Sequence, residues 1–258
     1  MIEALNLLKE FVLTKQQRKE LNTTDKFAKA VNDVSFTCQP GRVFSLLGPN
    51  GAGKTTTLRM LSTIFKPTSG SIKIAGIDAV ANPQEARKKM GFLTGSTGLY
   101  ARLTPNEVLK YFADLYEIPK DEFEQRKEEL YTLLDMHDFQ GKRIGKLSTG
   151  MKQKVSICRT MIHDPEVVIF DEPTSGLDVI TAENIIQLIR NCREQGKTVI
   201  FSSHIMSEVD LLCDDLAIIH KGKMLFNGTM DAFKQEMQAD NLTAEFIRIV
   251  NDSQNATV

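Results

Sequence analysis

The sequence predicts an α/β fold with a parallel sheet, an antiparallel β layer and an inserted helical subdomain. A glycine-rich stretch at 48–55 fits the phosphate-binding loop pattern of Gly, four residues and Gly-Lys-Thr, and it lies between a strand-like and a helix-like segment. Farther along, short apolar runs flank a helical segment, as expected of parallel strands. Between these two regions the apolar spacing is mostly helical, which predicts the insert.

The composition is that of an ordinary globular protein. Its 258 residues are 41% hydrophobic and 25% charged, so the chain can bury a large core. Its formal net charge of -1 gives no excess of positive charge that would attract nucleic acid. No apolar run approaches about 18 residues and no basic segment precedes an apolar one at the start, which predicts neither a membrane span nor a signal peptide. The cysteines are far apart in sequence, which favours buried free thiols over disulfides or zinc: Cys38, Cys158, Cys192 and Cys213.

The first part of the chain predicts strands on both sides of the glycine-rich stretch. Apolar runs indicate the strands, the spacing of Leu58, Leu61 and Phe65 indicates a helix, and a polar, charge-mixed stretch indicates an exposed hairpin loop. The predicted elements are a short strand and turn at 2–13, the hairpin loop at 14–26, strands at 31–36 and 43–47, the helix at 54–65, and a strand at 71–75.

The second part predicts the helical insert followed by the rest of the sheet. Thr104-Pro105-Asn106-Glu107 combines an N-cap, Pro at the first helical position and Glu at the third, so a helix begins there. Mostly helical spacing continues to His163. The remaining predicted elements are strands at 91–93, 167–170, 199–202 and 216–219, a helix at 179–195 that closes on Gly196, a hairpin turn at 221–223 and a frayed end at 252–258.

Each residue type in the glycine-rich stretch suits phosphate binding. Glycines let successive backbone N–H groups turn inward onto phosphate oxygens, and the following helix points its N-terminus at the anion. Lys54 would reach the β- and γ-phosphates, and the Thr55 hydroxyl would bind Mg²⁺. A glycine-rich turn that matches by chance is the alternative, and the flanking strand and helix argue against it. The predicted nucleotide-binding residues here are Gly48, Pro49, Asn50, Gly51, Ala52, Gly53, Lys54, Thr55 and Thr56.

Two carboxylates, Asp171 and Glu172, end the apolar run at 167–170, at the edge where an open α/β sheet binds its ligand. Asp171 is suited to hold Mg²⁺ through water, and Glu172 to orient and deprotonate the water that attacks the γ-phosphorus. Either acid alone would indicate a solvated strand end or a helix cap. Together with an upstream phosphate loop, the pair predicts a nucleotide-hydrolysing site.

Shortly before this acidic strand, the chain resembles the LSGGQ signature of ATP-binding cassette (ABC) proteins, at Leu147, Ser148, Thr149, Gly150 and Met151. The segment 172–178 resembles the D-loop of that family, which ends here at Asp178, and His204 resembles its switch histidine. With the phosphate loop, these ordered motifs cover residues 48–204 and identify the chain as a member of the ABC ATPases, which have a P-loop NTPase core. The resemblance implies an ABC ATP-binding domain at 1–232, with the helical subdomain at about 95–163, and a short C-terminal extension at 233–258.

The resemblance also implies cofactors, roles and a partner. The family binds ATP with Mg²⁺ between two subunits, so the signature of one chain would reach the γ-phosphate held by a second copy or a related ATPase. His204 would sense that phosphate, and Phe11 would offer an aromatic face to adenine, although stacking alone does not distinguish adenine from guanine. Taken singly, Ser148 fits an ordinary helix N-cap, Phe11 a core residue of its strand, and His204 a hydrogen-bonded histidine at a strand end.

The chain departs from the common family pattern at two places. Thr149 replaces a signature glycine and Met151 the final glutamine, a variation that looks like bacterial exporter ATPases. Gly95 stands where the family has its Q-loop glutamine, and Ser96 or Thr97 would have to offer a hydroxyl instead. The segment 95–105 looks most like ATP-binding subunits of bacterial sodium-extrusion ABC transporters.

These motifs predict an ATPase at the cytoplasmic face of the cell membrane. It would drive export of Na⁺ or a drug-like cargo through a multi-span permease on a separate chain, with Tyr100 beside the permease. A soluble ABC ATPase that acts on ribosomes or DNA is the alternative, disfavoured by the single cassette and the absence of a long coiled coil or basic tract. A small-molecule kinase would not explain 147–151 or Glu172.

Overall fold

The computed structural model of the chain describes residues 1–20, 22–94 and 98–255. Within these residues the strands are β1 (Ile2–Val12), β2 (Phe27–Cys38), β3 (Val43–Leu47), β4 (Ser69–Ile74), β5 (Ile77–Asp78), β6 (Met90–Thr94), β7 (Val167–Asp171), β8 (Thr198–Ser203), β9 (Asp215–His220) and β10 (Lys223–Thr229). The α-helices are α1 (Lys15–Glu20), α2 (Lys54–Leu61), α3 (Pro83–Lys88), α4 (Pro105–Leu115), α5 (Lys120–Leu133), α6 (Thr149–Met161), α7 (Val179–Glu194), α8 (Met206–Leu212), α9 (Met230–Glu236) and α10 (Leu242–Asn255).

The strands form two sheets. In the described residues the larger sheet has the order β10-β9-β3-β8-β7-β6, and the smaller one has the order β2-β1-β4-β5. Neighbours from β9 to β6 are parallel, whereas β10 is antiparallel to β9 and the smaller sheet is antiparallel throughout. The predicted α/β class, parallel sheet and antiparallel layer are confirmed. β3 lies inside the parallel sheet, and only β8 separates it from β7.

The parallel sheet is buried on both faces, which explains why its strands are continuous apolar runs. On one face Val168 and Phe170 of β7 pack with the helices in one hydrophobic cluster. On the other face Val167 and Ile169 pack in a second cluster that includes α2 and the smaller sheet. The start of α2, where the phosphate loop ends, is therefore held by packed elements.

Between β6 and β7 the described residues form helices and turns but no strand. The predicted capping box is present at the start of α4, where Thr104 Oγ1 accepts the Glu107 N–H (3.3 Å) and Glu107 Oε2 accepts the Thr104 N–H (2.8 Å). The inserted helical segment is confirmed, and its limits at about 95 and 163 stay a prediction.

The N-terminal region differs from the prediction in two details. β1 is a long strand rather than a short strand and turn, because it pairs with β2 on one side and β4 on the other. The exposed connection at 14–26 contains the helix α1, none of whose residues is buried. The residues of α1 favour a helix but include no apolar face, so the sequence there is polar throughout and suggested a loop.

The C-terminal end is also more ordered than predicted. α10 continues to Asn255, although 252–258 was expected to fray; residues 256–258 lie outside the described residues. Its Phe246 and Ile249 pack against the core, and Arg248 bonds Asp252 (2.8 Å), one turn farther on. The predicted division between 232 and 233 falls inside α9, so that division stays a prediction.

The cysteines are free and buried, as predicted. Burial raises the pKa of the Cys158 and Cys213 thiols, so both stay protonated at neutral pH. Over the described ranges, no helix combines the length and apolar character needed to span a bilayer.

Candidate active site

The glycine-rich loop joins β3 to α2 at the carboxyl edge of the parallel sheet. Glycine is required at both of its ends. A β-carbon on Gly48 would lie 2.3 Å from the Ile219 carbonyl oxygen, and Gly53 has φ 110° with the Ala30 carbonyl oxygen 2.5 Å from its β-carbon position. These close approaches hold the loop against neighbouring backbone. The loop leads directly into the N-terminus of α2, whose free N–H groups suit an anion.

Lys54 lies inside this loop and is 5% exposed. Its ammonium donates to the carbonyl oxygens of Gly48 (2.7 Å) and Pro49 (3.2 Å). Burial lowers the pKa of Lys54, and the carboxylates of Glu172 and Asp171 oppose that effect. The loop thus presents a buried cation to an anionic ligand.

The two acidic residues are joined to the loop by hydroxyl groups. Thr55 Oγ1 donates to Asp171 Oδ1 (3.1 Å), and Ser202 Oγ donates to the same oxygen (2.8 Å). Ser202 also accepts the Glu172 N–H, at 3.0 Å through its hydroxyl and 3.2 Å through its carbonyl oxygen. Register explains this arrangement, because Asp171 at the end of β7 pairs with Ser202 of β8.

Glu172 lies between a buried lysine and a histidine. Its Oε1 is 3.9 Å from Lys54 Nζ and 3.5 Å from His204 Nδ1. Its backbone is left-handed, with φ 49°, a conformation that costs free energy in a non-glycine residue. The hydrogen bonds of its amide to Ser202 hold this conformation and direct the carboxylate into the site.

A cleft of about 440 Å³ opens beside these residues and is lined by Thr55, Arg59, Thr94, Thr149, Gln153, Asp171, Glu172, Ser175 and Leu177. Thr55 and Asp171 contribute a hydroxyl and a carboxylate, the hard oxygen donors that Mg²⁺ prefers. Mg²⁺ in nucleotide sites is held by few protein oxygens and completed by phosphates and water. The donor set therefore fits Mg²⁺, and Thr55 and Asp171 are the residues that would hold it.

The predicted signature begins α6. Ser148 is its N-cap and accepts the Met151 N–H (3.2 Å), while Leu147 is buried. Ser148 and Thr149 are exposed, so the start of this helix faces solvent. Thr149 also lines the cleft described above, which brings the signature towards Asp171 and Glu172 of the same chain.

Asp178 starts the next long helix, α7, beside the signature. Its carboxylate accepts the Thr181 N–H and hydroxyl, both at 2.9 Å, and these bonds lower the pKa of Asp178. Its Oδ2 lies 3.6 Å from the β-carbon position of Gly150. The predicted D-loop and signature are therefore neighbours in one chain.

Some predicted residues lie apart from this cluster. Phe11 is on the antiparallel sheet, where it is 37% exposed and contacts Phe65 edge-to-face at 5.6 Å, so it is not a core residue. Gly95, Ser96 and Thr97, the predicted Q-loop positions, lie outside the described residues.

Sequence reasoning missed Ser202, which is fully buried and contacts both acids. A signal was available, because Ser202 and Ser203 are polar residues that directly follow the apolar run at 199–201. That strand lies between the loop strand β3 and the acidic strand β7. The order of strands in space, which the sequence did not supply, places Ser202 beside both acids.

The comparisons with known proteins identify the family. The family model described as ABC transporter matches residues 31–175. The ABC transporter ATP-binding protein NatA of Bacillus subtilis (strain 168) is 42% identical over 223 residues, which cover 86% of this chain and 91% of NatA. This chain belongs to the ABC transporter family.

Further relatives support the same family. The bacitracin transport ATP-binding protein BcrA of Bacillus licheniformis is 38% identical over 80% of this chain and 67% of BcrA. A solved structure of an ATP-binding subunit of an ABC transporter superposes with a TM-score of 0.84 at 25% identity, covering 96% of this chain and 99% of that one. The chain is an ABC transporter ATP-binding subunit and an ATPase.

Proposed function

We propose that this ABC subunit binds and hydrolyses ATP at the cluster formed by Lys54, Thr55, Asp171, Glu172 and His204. The observation that carries the proposal is the position of Glu172, whose Oε1 is 3.9 Å from Lys54 Nζ and 3.5 Å from His204 Nδ1. A carboxylate beside a phosphate loop is suited to accept a proton from an attacking water.

Each residue has a separate task in this hydrolysis. Lys54 and the backbone N–H groups of the loop at 48–56, except Pro49, which has none, bind the β- and γ-phosphates, and Glu172 orients and deprotonates the water. Thr55 and Asp171 would hold Mg²⁺, which would supply positive charge to the phosphate oxygens. His204 donates a hydrogen bond to the γ-phosphate, and Phe11 stacks on the base. Charge stabilisation and positioning account for most catalysis of phosphoryl transfer.

A second copy of this chain, or a related ATPase, completes the site through residues 147–151. The exposed hydroxyl and N–H groups at the start of α6 suit an anion. Beside Asp178, Val179 and Ile180 are 85% and 75% exposed. Two adjacent exposed apolar side chains at the edge of the site support a protein contact there.

The energy of ATP is used for export through a permease on a separate chain, at the cytoplasmic face of the membrane. BcrA, a relative, is a bacitracin transport protein by name. Tyr100 is 62% exposed and is suited to contact the permease. The resemblance of segment 95–105 to sodium-extrusion subunits favours Na⁺ as cargo, and the relation to BcrA favours a peptide antibiotic as the second candidate.

Export is tested by searching the neighbouring reading frames for a multi-span hydrophobic protein and co-expressing it with this chain. We expect the two proteins to copurify, and inverted vesicles that contain both to accumulate Na⁺ on addition of ATP. A Lys54→Ala complex is the matched control. Resistance to bacitracin without sodium movement would identify the second cargo. Full ATPase activity with no membrane partner would favour a soluble ABC ATPase instead.

A further inference from the structure

The turn between β9 and β10 lies against the phosphate loop and is called here the supporting turn. This supporting turn consists of residues 221–222. The Gly222 N–H donates to the carbonyl oxygen of Ala52 at 2.8 Å. Just before the turn, the Ile219 carbonyl oxygen is 2.3 Å from the position that a β-carbon on Gly48 would take. The β9–β10 hairpin therefore contacts the phosphate loop at its first residue, Gly48, and again at Ala52.

The hydrogen bond from Gly222 to Ala52 also fixes the direction of the next backbone N–H group, that of Gly53. The Ala52 carbonyl and the Gly53 N–H belong to one peptide unit, and no cis peptide bond occurs in the described residues. In a trans peptide these two groups point in opposite directions. Since the Ala52 carbonyl points at the Gly222 N–H, the Gly53 N–H is directed away from Gly222.

The C-terminal helix holds the supporting turn from its other side. His220 Nδ1 lies 2.8 Å from Ser253 Oγ of α10, and the Ser253 hydroxyl donates to the Val250 carbonyl oxygen at 2.7 Å. A hydroxyl has one hydrogen, so His220 Nδ1 is the donor in the other bond. Burial, and then the charge of Lys221, lower the pKa of His220, which favours the neutral imidazole.

We propose that the supporting turn is a positioning element for ATP binding and that α10 anchors it through the His220–Ser253 hydrogen bond. Gly222 fixes the peptide unit between Ala52 and Gly53, which aims the Gly53 N–H at phosphate. The C-terminal helix thereby contributes to nucleotide affinity without touching the nucleotide. This inference rests on the proposed role of the phosphate loop.

A pair of turn variants separates positioning from general destabilisation. Gly222→Ala introduces a β-carbon 2.9 Å from the Ala30 carbonyl oxygen at a φ of 77°. Gly76→Ala is the matched control: Ala75 and Gly76 have φ values of 49° and 81°, close to the 47° and 77° of Lys221 and Gly222, but nothing lies within 4 Å of the new β-carbon. Both variants should lower Tm. We expect only Gly222→Ala to raise the KM for ATP, by about tenfold, with a smaller change in kcat.

Ser253 offers a second test that does not alter the turn. Ser253→Ala removes the acceptor for His220 and should raise the KM for ATP by about threefold, whereas Ser253→Thr keeps the hydroxyl and should restore the parental value. This pair decides the question if Gly222→Ala does not fold.

Equal KM values for Gly222→Ala and Gly76→Ala, or for Ser253→Ala and the parent, would overturn the inference. Lys54→Ala in the same assay separates this failure from failure of the proposed function. If Lys54→Ala loses ATP affinity while the turn and Ser253 variants bind as the parent does, only the positioning role is wrong. If Lys54→Ala keeps its ATP affinity, the phosphate-loop site itself is wrong.

Discussion

Replacing Ser202 with alanine removes the one hydroxyl that, among the described residues, contacts both acids of the site. Ser202 Oγ donates to Asp171 Oδ1 at 2.8 Å and accepts the Glu172 N–H at 3.0 Å. The side chain is fully buried. After the change Asp171 keeps the Thr55 hydroxyl at 3.1 Å, and the Glu172 N–H keeps the backbone carbonyl of residue 202 at 3.2 Å.

These remaining partners set the size of the effect. A hydrogen bond to a charged group contributes about 1.5–3 kcal/mol, and the Thr55 hydroxyl places the loss at Asp171 near the lower value. The amide of Glu172 keeps one acceptor, so its loss is about 0.5 kcal/mol. Together the free energy of unfolding should fall by about 2 kcal/mol, which corresponds to a Tm about 4–8 °C lower in a chain of this size.

The catalytic effect should exceed what this loss of stability explains. Ser202 holds the left-handed backbone of Glu172, so Ser202→Ala allows the carboxylate to move away from the attacking water. We expect kcat for ATP hydrolysis to fall about tenfold while the KM for ATP changes less than about twofold, because Lys54 and the phosphate loop are unchanged.

Thermal denaturation and steady-state ATPase assays measure the two effects. Ser62→Ala is the matched control, since Ser62 is 5% exposed and its hydroxyl bonds only the Arg59 carbonyl oxygen, at 3.3 Å, among described partners. It should lower Tm slightly and leave kcat unchanged. A Ser202→Ala enzyme with a lower Tm and the parental kcat would refute the idea that Ser202 positions Glu172.

Three further predictions test other parts of the chain. Lys54→Ala should abolish productive ATP binding, measured by calorimetry, because it removes the charge that neutralises the phosphates; unchanged affinity would remove Lys54 from the site. Burial lowers the pKa of His163 to about 4. Below about pH 6.5 this imidazole therefore binds a proton in the unfolded chain more readily than in the folded one. His163 alone should make the free energy of unfolding about 2 kcal/mol lower at pH 5 than at pH 7. His163→Phe keeps an aromatic ring beside Tyr116, whose ring centroid lies 4.0 Å from that of His163 in the parent, and should remove this contribution in denaturant titrations, whereas His137→Phe should retain it. His220, whose pKa is also lowered, keeps its own contribution in both variants; a pH dependence unchanged in His163→Phe contradicts the assignment. Tyr100→Ala should abolish cargo efflux in the permease complex and leave basal ATPase intact, and full efflux would argue against coupling at this residue.

Local patterns were sufficient to predict the main elements of the fold. The apolar runs at 43–47 and 167–170 predict buried strands because both faces of a parallel sheet are covered. The capping box at Thr104 predicts a helix start because it satisfies helix N–H groups within four residues. Both signals depend on neighbouring residues, which the sequence displays directly.

Features that depend on tertiary packing were harder to predict. Ser202 joins Asp171 to Glu172 only because β8 lies between β3 and β7, an order in space that no local pattern contains. The helical end at 252–255 follows from packing of Phe246 and Ile249 on the core, whereas composition alone suggested fraying. The roles of individual site residues stay predictions.

The behaviour of Glu172→Gln in the presence of ATP tests the central claim most directly. Glutamine keeps the size of the side chain but cannot accept the proton, so nucleotide binding should persist while turnover falls by about 10² or more. With hydrolysis blocked, the variant should run as an ATP-bound dimer in gel filtration, and as a monomer without ATP. A Glu172→Gln enzyme that hydrolyses ATP at the parental rate and does not dimerise with ATP would contradict the account.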